Sequence, residues 1–94
     1  MNRATLQTMM ADKLKAGEVE DFKILLRKVC VTECRSRFLD EPLPADDVEY
    51  IFNQVADSFD FDCHLERESI KSPYHFFRSA FRRQIRDLLN CETQ

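Results

Sequence analysis

Residues 71–89, KSPYHFFRSAFRRQIRDLL, decide the fold class that the sequence predicts. Ser72 and Pro73 are typical of a helix start, because serine caps the first turn and proline favours the first helical position. At 100° per residue, apolar side chains fall on one side of this helix and most basic side chains on the other. The apolar side comprises Tyr74, Phe77, Phe81, Ile85 and Leu88, flanked by Ala80 and Leu89. We therefore expect a final helix, ending near Leu89 or Asn90, that contributes its apolar side to a core.

The opposite side of this helix carries the candidate binding residues. It uses arginine almost alone, and arginine forms paired hydrogen bonds with phosphate or guanine. An aromatic ring beside such cations can stack on an unpaired base. The candidate contacts to nucleic acid or to an acidic partner are His75, Phe76, Arg78, Arg82, Arg83 and Arg86. The competing interpretation is a solvated helix face, or one matched to acidic residues elsewhere in the chain.

Residues 70–85, IKSPYHFFRSAFRRQI, also resemble a known pattern. The segment is similar to the S/N-P-x-x-Y/F-F-x-x-A pattern near the ends of small helical replication-accessory proteins of phages and plasmids, including DnaD-like domains. The resemblance covers about sixteen of the 94 residues. It implies DNA binding, with Tyr74, Phe76, Arg78 and Arg82 as the nearest counterparts of the DNA-contacting positions.

Two further helices are predicted in the first 38 residues. The first spans residues 3–15, and Gly17, just after it, is a residue suited to a helix C-terminus. The second spans residues 18–38 and has apolar residues on two sides, which is typical of a central helix with neighbours on both. Its second apolar side consists of Ile24, Val31 and Phe38, and an i,i+4 ion pair is expected between Glu33 and Arg37.

The middle of the chain is predicted to contain a loop, a third helix and a segment in which apolar residues recur at every second position. Two prolines in LDEPLPADD predict a loop near residues 40–45, and Pro44 suits the first turn of the helix that follows. Between residues 59 and 66 apolar and polar residues alternate, which favours a short extended segment. Because no second strand is evident to pair with it, an ordered loop is the equal alternative. We therefore expect a single all-α domain, residues 1–94, built as a compact bundle of about four helices.

Charge is distributed unevenly along the chain. Residues 39–62 contain eight acidic residues and no basic one, although the net charge of the chain is only -3. This surface offers a second hypothesis, in which the protein binds a basic surface of a larger nucleic-acid enzyme and imitates nucleic-acid charge. Its contact residues would be Asp46, Asp47, Glu49 and Asp57. A homodimer, in which the basic last helix of one copy meets the acidic helix of the other, is a third alternative.

The cysteines and histidines offer little sign of a metal site. Four free thiols are expected in a reducing compartment, whereas a zinc site is the alternative. Its candidate ligands are Cys30, Cys34, Cys63 or His64, and Cys91. Asp60, Asp62 and His64 imitate the start of a calcium loop, but Leu65 stands where the loop needs glycine. We therefore expect no cofactor.

The remaining patterns limit the function class. No apolar run approaches the ~18 residues that a membrane span needs, and Lys13 and Lys15 interrupt the N-terminal apolar residues, so a cytoplasmic protein is expected. The common catalytic motifs are absent from the sequence, so no enzyme is predicted. The sequence predicts a non-enzymatic accessory or regulatory protein of DNA replication, recombination or transcription, of a type found in phages and mobile elements. It would bind nucleic acid through its last helix.

Overall fold

The computed structural model describes residues 2–35 and 41–93, with only the backbone for residues 91–93. Those residues form five α-helices and no strand, which confirms the predicted all-α bundle. The helices are α1 Arg3–Ala16, α2 Val19–Cys34, α3 Ala45–Asp57, α4 His64–Ser69 and α5 Pro73–Thr93. None of the described helices combines the length and apolar character that a membrane crossing requires.

The ends of the first helices follow local chemistry. The side chain of Asn2 accepts a hydrogen bond from the Thr5 amide at 2.8 Å and so caps α1. Gly17 ends α1 in the left-handed conformation, with φ of 75°, as its position predicted. Pro44 is the N-cap of α3 rather than its first helical residue, and Asp46 and Asp47 lie in the first turn.

Helix α2 differs from its prediction in two respects. It ends at Cys34, with Arg35 as its C-cap, and the amide of Leu43 then donates a hydrogen bond to the Cys34 carbonyl at 3.2 Å. The predicted continuation to Phe38 falls outside the described residues. The second apolar side is only partly covered by the described residues, since Val31 is partly buried but Ile24 is 61% exposed. Helix α2 therefore packs on α1, α3 and α5 but leaves part of one apolar side at the surface.

Of the two alternatives predicted for residues 59–66, the extended segment is wrong, and the ordered loop describes residues 59–63 only. Residues 59–63 form a turn, and α4 begins at His64. The alternation arises because the turn directs two rings inward, where Phe59 and Phe61 lie 4.8 Å apart between ring centroids. Two carboxylates hold the turn, since Asp60 accepts a hydrogen bond from the Asp62 amide and Glu66 accepts one from the Asp60 amide.

Helix α5 organises the core. It packs against α1, α2 and α3, and it extends to Thr93, one turn beyond its predicted end. Its residues Phe77, Phe81 and Ile85 are almost completely buried, as the apolar side predicted. They meet Phe22 and Leu26 of α2 and Ile51 of α3 in one hydrophobic cluster. The opposite side of α5 carries the predicted binding residues.

Candidate nucleic-acid interface on helix α5

The arginines of α5 fall into two groups. Arg78 and Arg82 point towards α2, where each donates a hydrogen bond from Nε to Glu33. Arg78 binds Oε1 and Arg82 binds Oε2, both at 2.8 Å. The pairing expected between Glu33 and Arg37 cannot be followed, because Arg37 lies outside the described residues. Glu33 instead bridges α2 to two successive turns of α5.

Burial explains why Glu33 engages two cations. Its side chain is only 5% exposed, and a carboxylate removed from water requires compensating charge and hydrogen bonds. Two charge-assisted hydrogen bonds at 2.8 Å supply both. Arg78 and Arg82 are themselves only partly exposed. Their first role is therefore to neutralise a buried acid at the α2–α5 contact, which the interpretation as a row of equivalent surface cations missed.

Arg83 and Arg86 form the second group. Both are exposed, and neither forms an ion pair with any of the described residues. Phe76 lies seven residues before Arg83, so the two side chains are nearly in line along the helix. Phe76, Ser79, Arg83, Arg86 and Asp87 are all exposed, and we call this set the exposed strip. The strip carries two cations against one carboxylate.

Phe76 is held by other rings while half of its surface remains accessible. It is 50% exposed. Its ring lies edge-on to Phe77, with the centroids 5.0 Å apart, and edge-on to Phe59 at 6.3 Å. These contacts restrict the ring without covering it, so one part of it is available for stacking. His75 is also exposed, and its ring lies edge-on to Tyr74 with the centroids 5.3 Å apart.

Helix packing adds one cation that the sequence reasoning did not include. The guanidinium of Arg3, at the start of α1, lies 5.4 Å from the centroid of the Tyr74 ring. Arg3 and Tyr74 line a cavity of about 180 Å³ together with Glu33. The spacing of residues within α1 carries no signal for this neighbour, because the proximity depends on how α1 packs against α5.

The acidic candidates are less uniform than their sequence suggests. Asp46 and Asp57 are exposed, without an ion pair inside the described part of the chain, whereas Asp47 is partly buried. Glu49 forms an ion pair with Arg27 of α2. The guanidinium of Arg27 also lies 4.3 Å from the centroid of the Phe52 ring, so this cation connects α2 to α3.

In the part of the chain that the structure describes, two of the candidate zinc ligands are neighbours, but no third joins them. Cys30 and Cys34 are fully buried, and the hydrogen bond between their thiols, with burial as the second cause, raises the pKa of Cys30. Cys63 is partly exposed and is the N-cap residue of α4. No group of three or more potential ligands comes together among the described residues, which do not include the side chain of Cys91.

We find no family model, no curated protein sequence and no solved structure that matches the chain significantly. The resemblance of residues 70–85 to DnaD-like domains therefore stays a prediction.

Proposed function

We propose that the protein is a non-enzymatic accessory factor of DNA metabolism that binds single-stranded nucleic acid through the exposed strip of α5. The observation that carries the proposal is the alignment of half-exposed Phe76 with exposed Arg83 and Arg86 on one side of a rigid helix. Arginines that form no ion pair among the described residues can neutralise phosphates, and a restrained aromatic ring can stack on a base.

The arginines that Glu33 holds assist this contact from the side. Glu33 accepts from the Nε of Arg78, so the hydrogen bond fixes that guanidinium in place while the side chain stays partly exposed. A cation fixed in this way loses little conformational entropy when it meets a phosphate. The main ionic contribution nevertheless belongs to Arg83 and Arg86, since Glu33 already offsets part of the charge of Arg78 and Arg82.

The acidic alternative has less support. Of its four candidate residues, Glu49 already pairs with Arg27 and Asp47 is partly buried. Two exposed carboxylates, Asp46 and Asp57, lie three turns apart on α3, which is a sparse imitation of a phosphate backbone. A regulator that binds a basic enzyme surface would need further acidic groups beside them.

The proposal is tested by fluorescence anisotropy with a labelled oligothymidine strand, titrated across a series of salt concentrations. The test variant combines Arg83→Gln with Arg86→Gln. The control combines Lys15→Gln with Lys71→Gln, which removes the same charge from two exposed lysines that line a cavity beside α4. For a single strand, each lost phosphate contact lowers the slope of log affinity against log salt by about 0.7.

We expect the arginine variant to lower that slope by about 1.4 and the lysine variant to leave it nearly unchanged. Phe76→Leu should weaken binding by about 1 to 3 kcal/mol without changing the slope, because it removes stacking and no charge. Failure of the wild-type protein to bind at low salt would overturn the proposal. Equal losses in the two charge variants would also contradict it, because they would indicate attraction without a defined site.

A further inference from the structure

Helices α2 and α3 form an antiparallel pair. The amide of Leu43, just before α3, reaches the Cys34 carbonyl at the end of α2. One turn earlier in α2, the thiol of Cys30 lies 3.8 Å from the Val48 carbonyl. The ion pair between Arg27 and Glu49 continues this order towards the start of α2. Residue numbers therefore rise along α3 as they fall along α2.

This arrangement brings two stripes, in which every residue except the partly buried Val31 is exposed, to one side of the pair. On α2, Ile24, Lys28 and Val31 follow one another at helical spacing, and Arg27 lies beside them. A matching stripe on α3 consists of Asp46, Tyr50 and Asn53, and Glu49 lies beside it. Because the helices are antiparallel and Arg27 meets Glu49 between them, both stripes turn outward on the same side. We call these two stripes together the α2–α3 face.

The α2–α3 face exposes two large apolar side chains. Ile24 is 61% exposed and Tyr50 is 51% exposed, which makes them two of the largest accessible apolar side chains among the described residues. An open groove of about 460 Å³ runs along α2 and is lined by Ile24, Val31 and the stems of Arg27 and Lys28. Exposed apolar surface that polar groups surround is typical of a protein-binding site.

We propose that the α2–α3 face binds a second copy of this chain, with α2 of each copy on α3 of the other. Charge complementarity selects this occupant. Between residues 24 and 31 the stripe on α2 carries Lys28 and no acid, whereas between residues 46 and 53 the stripe on α3 carries Asp46 and no base. The aromatic side chain of Tyr50 then enters the groove beside Ile24 of the partner copy, and the charged ends pair on either side.

Symmetry and size agree with this arrangement. A two-fold axis near Arg27 and Glu49 makes the face self-complementary, and two-fold dimers are the commonest closed assemblies. A stable interface needs roughly 800 Å² from each partner, which is about an eighth of the 6395 Å² accessible surface of the described chain. Helix α2 is roughly 24 Å long and forms one half of this face. The basic element of the dimer is therefore α2 rather than the last helix, so the exposed strip of α5 stays accessible.

The test is sedimentation velocity of the full chain over a concentration series. We expect a dimer for the wild-type protein and monomers for Ile24→Asp and for Tyr50→Lys, which change exposed residues. An equimolar mixture of the two variants should associate again. In that mixed dimer the introduced carboxylate faces the introduced ammonium in one half of the interface, and Ile24 faces Tyr50 in the other. Leu65→Asp, at an exposed residue of α4, is the control and should remain dimeric.

Circular dichroism identifies any variant that fails to fold. In that case Lys28→Glu replaces it. We expect this variant to associate more weakly than the wild-type protein, and we expect the difference in affinity to become smaller as salt is added. The proposal is overturned if the wild-type protein is monomeric throughout the concentration series. It is equally overturned if dimers persist in both Ile24→Asp and Tyr50→Lys, or if mixing the two variants restores nothing.

Discussion

Two pairs of arginines on one helix have different roles. Arg78 and Arg82 converge on the buried carboxylate of Glu33, with both hydrogen bonds at 2.8 Å. Arg83 and Arg86, one and four residues after Arg82 on α5, are exposed and form no ion pair within the described part of the chain. The same residue type therefore stabilises a helix contact at one angular position and remains available to a ligand at another. In an arginine-rich stretch, only those arginines that no other residue of the protein already binds are fully available to a ligand.

The largest contrast is expected between two phenylalanines of α5. Phe81 is fully buried, and Phe81→Ala should lower the free energy of unfolding by about 3 to 5 kcal/mol because it leaves a cavity. Phe76 is half exposed, so Phe76→Ala should lower it by only about 1 kcal/mol, from the lost ring contacts. Chemical denaturation of both variants measures the difference. Similar losses would show that Phe76 belongs to the core and has no ring surface to offer a base.

A smaller effect is expected when the buried acid is removed. Glu33→Ala should lower the free energy of unfolding by about 2 to 3 kcal/mol, because two charge-assisted hydrogen bonds are lost while the arginines regain water. Glu41→Ala, at an exposed residue before α3, provides the matched control and should have little effect. If the two variants were equally stable, Glu33 would not hold Arg78 and Arg82 in solution.

Arg67 of α4 has a third role, because its side chain packs beside Gly17 at the end of α1. The Nη1 of Arg67 donates a hydrogen bond to the Phe61 carbonyl at 2.7 Å, and Nη2 would lie 3.3 Å from a Cβ atom at position 17. Gly17 also has φ of 75°, where an L-residue costs about 1 to 2 kcal/mol. Gly17→Ala should therefore destabilise the fold by about that amount. Ala16→Gly, at the preceding exposed position, should cost at most about 1 kcal/mol through helix propensity alone, and a larger loss there would contradict this assignment.

The helices could be predicted from sequence because their determinants are local. Periodicity identified the buried side of α5, and Gly17 marked the end of α1 as the structure has it. The segment after α3 could not be predicted, since alternation of apolar residues does not distinguish a strand from a turn with two inward rings. That distinction depends on Phe77, which Phe59 and Phe61 meet only in the folded chain.

The candidate site was predictable only in part. Helical spacing correctly separated the core residues of α5 from Arg83 and Arg86, which lie at the surface. It could not assign Arg78 and Arg82, because their partner lies 45 and 49 residues earlier in the chain. Long-range contacts of this kind are determined by helix packing, and the sequence of one helix carries no record of them.

The most direct measurement compares two double variants of α5 by chemical denaturation. Replacing Arg78 and Arg82 with alanine leaves Glu33 buried without a counterion, and we predict a loss of about 3 kcal/mol or more in the free energy of unfolding. Replacing Arg83 and Arg86 with alanine removes the same charge from exposed positions, and we predict a change within about 1 kcal/mol. Equal losses in the two double variants would contradict the division of the α5 arginines into a pair that stabilises the fold and a pair that is exposed.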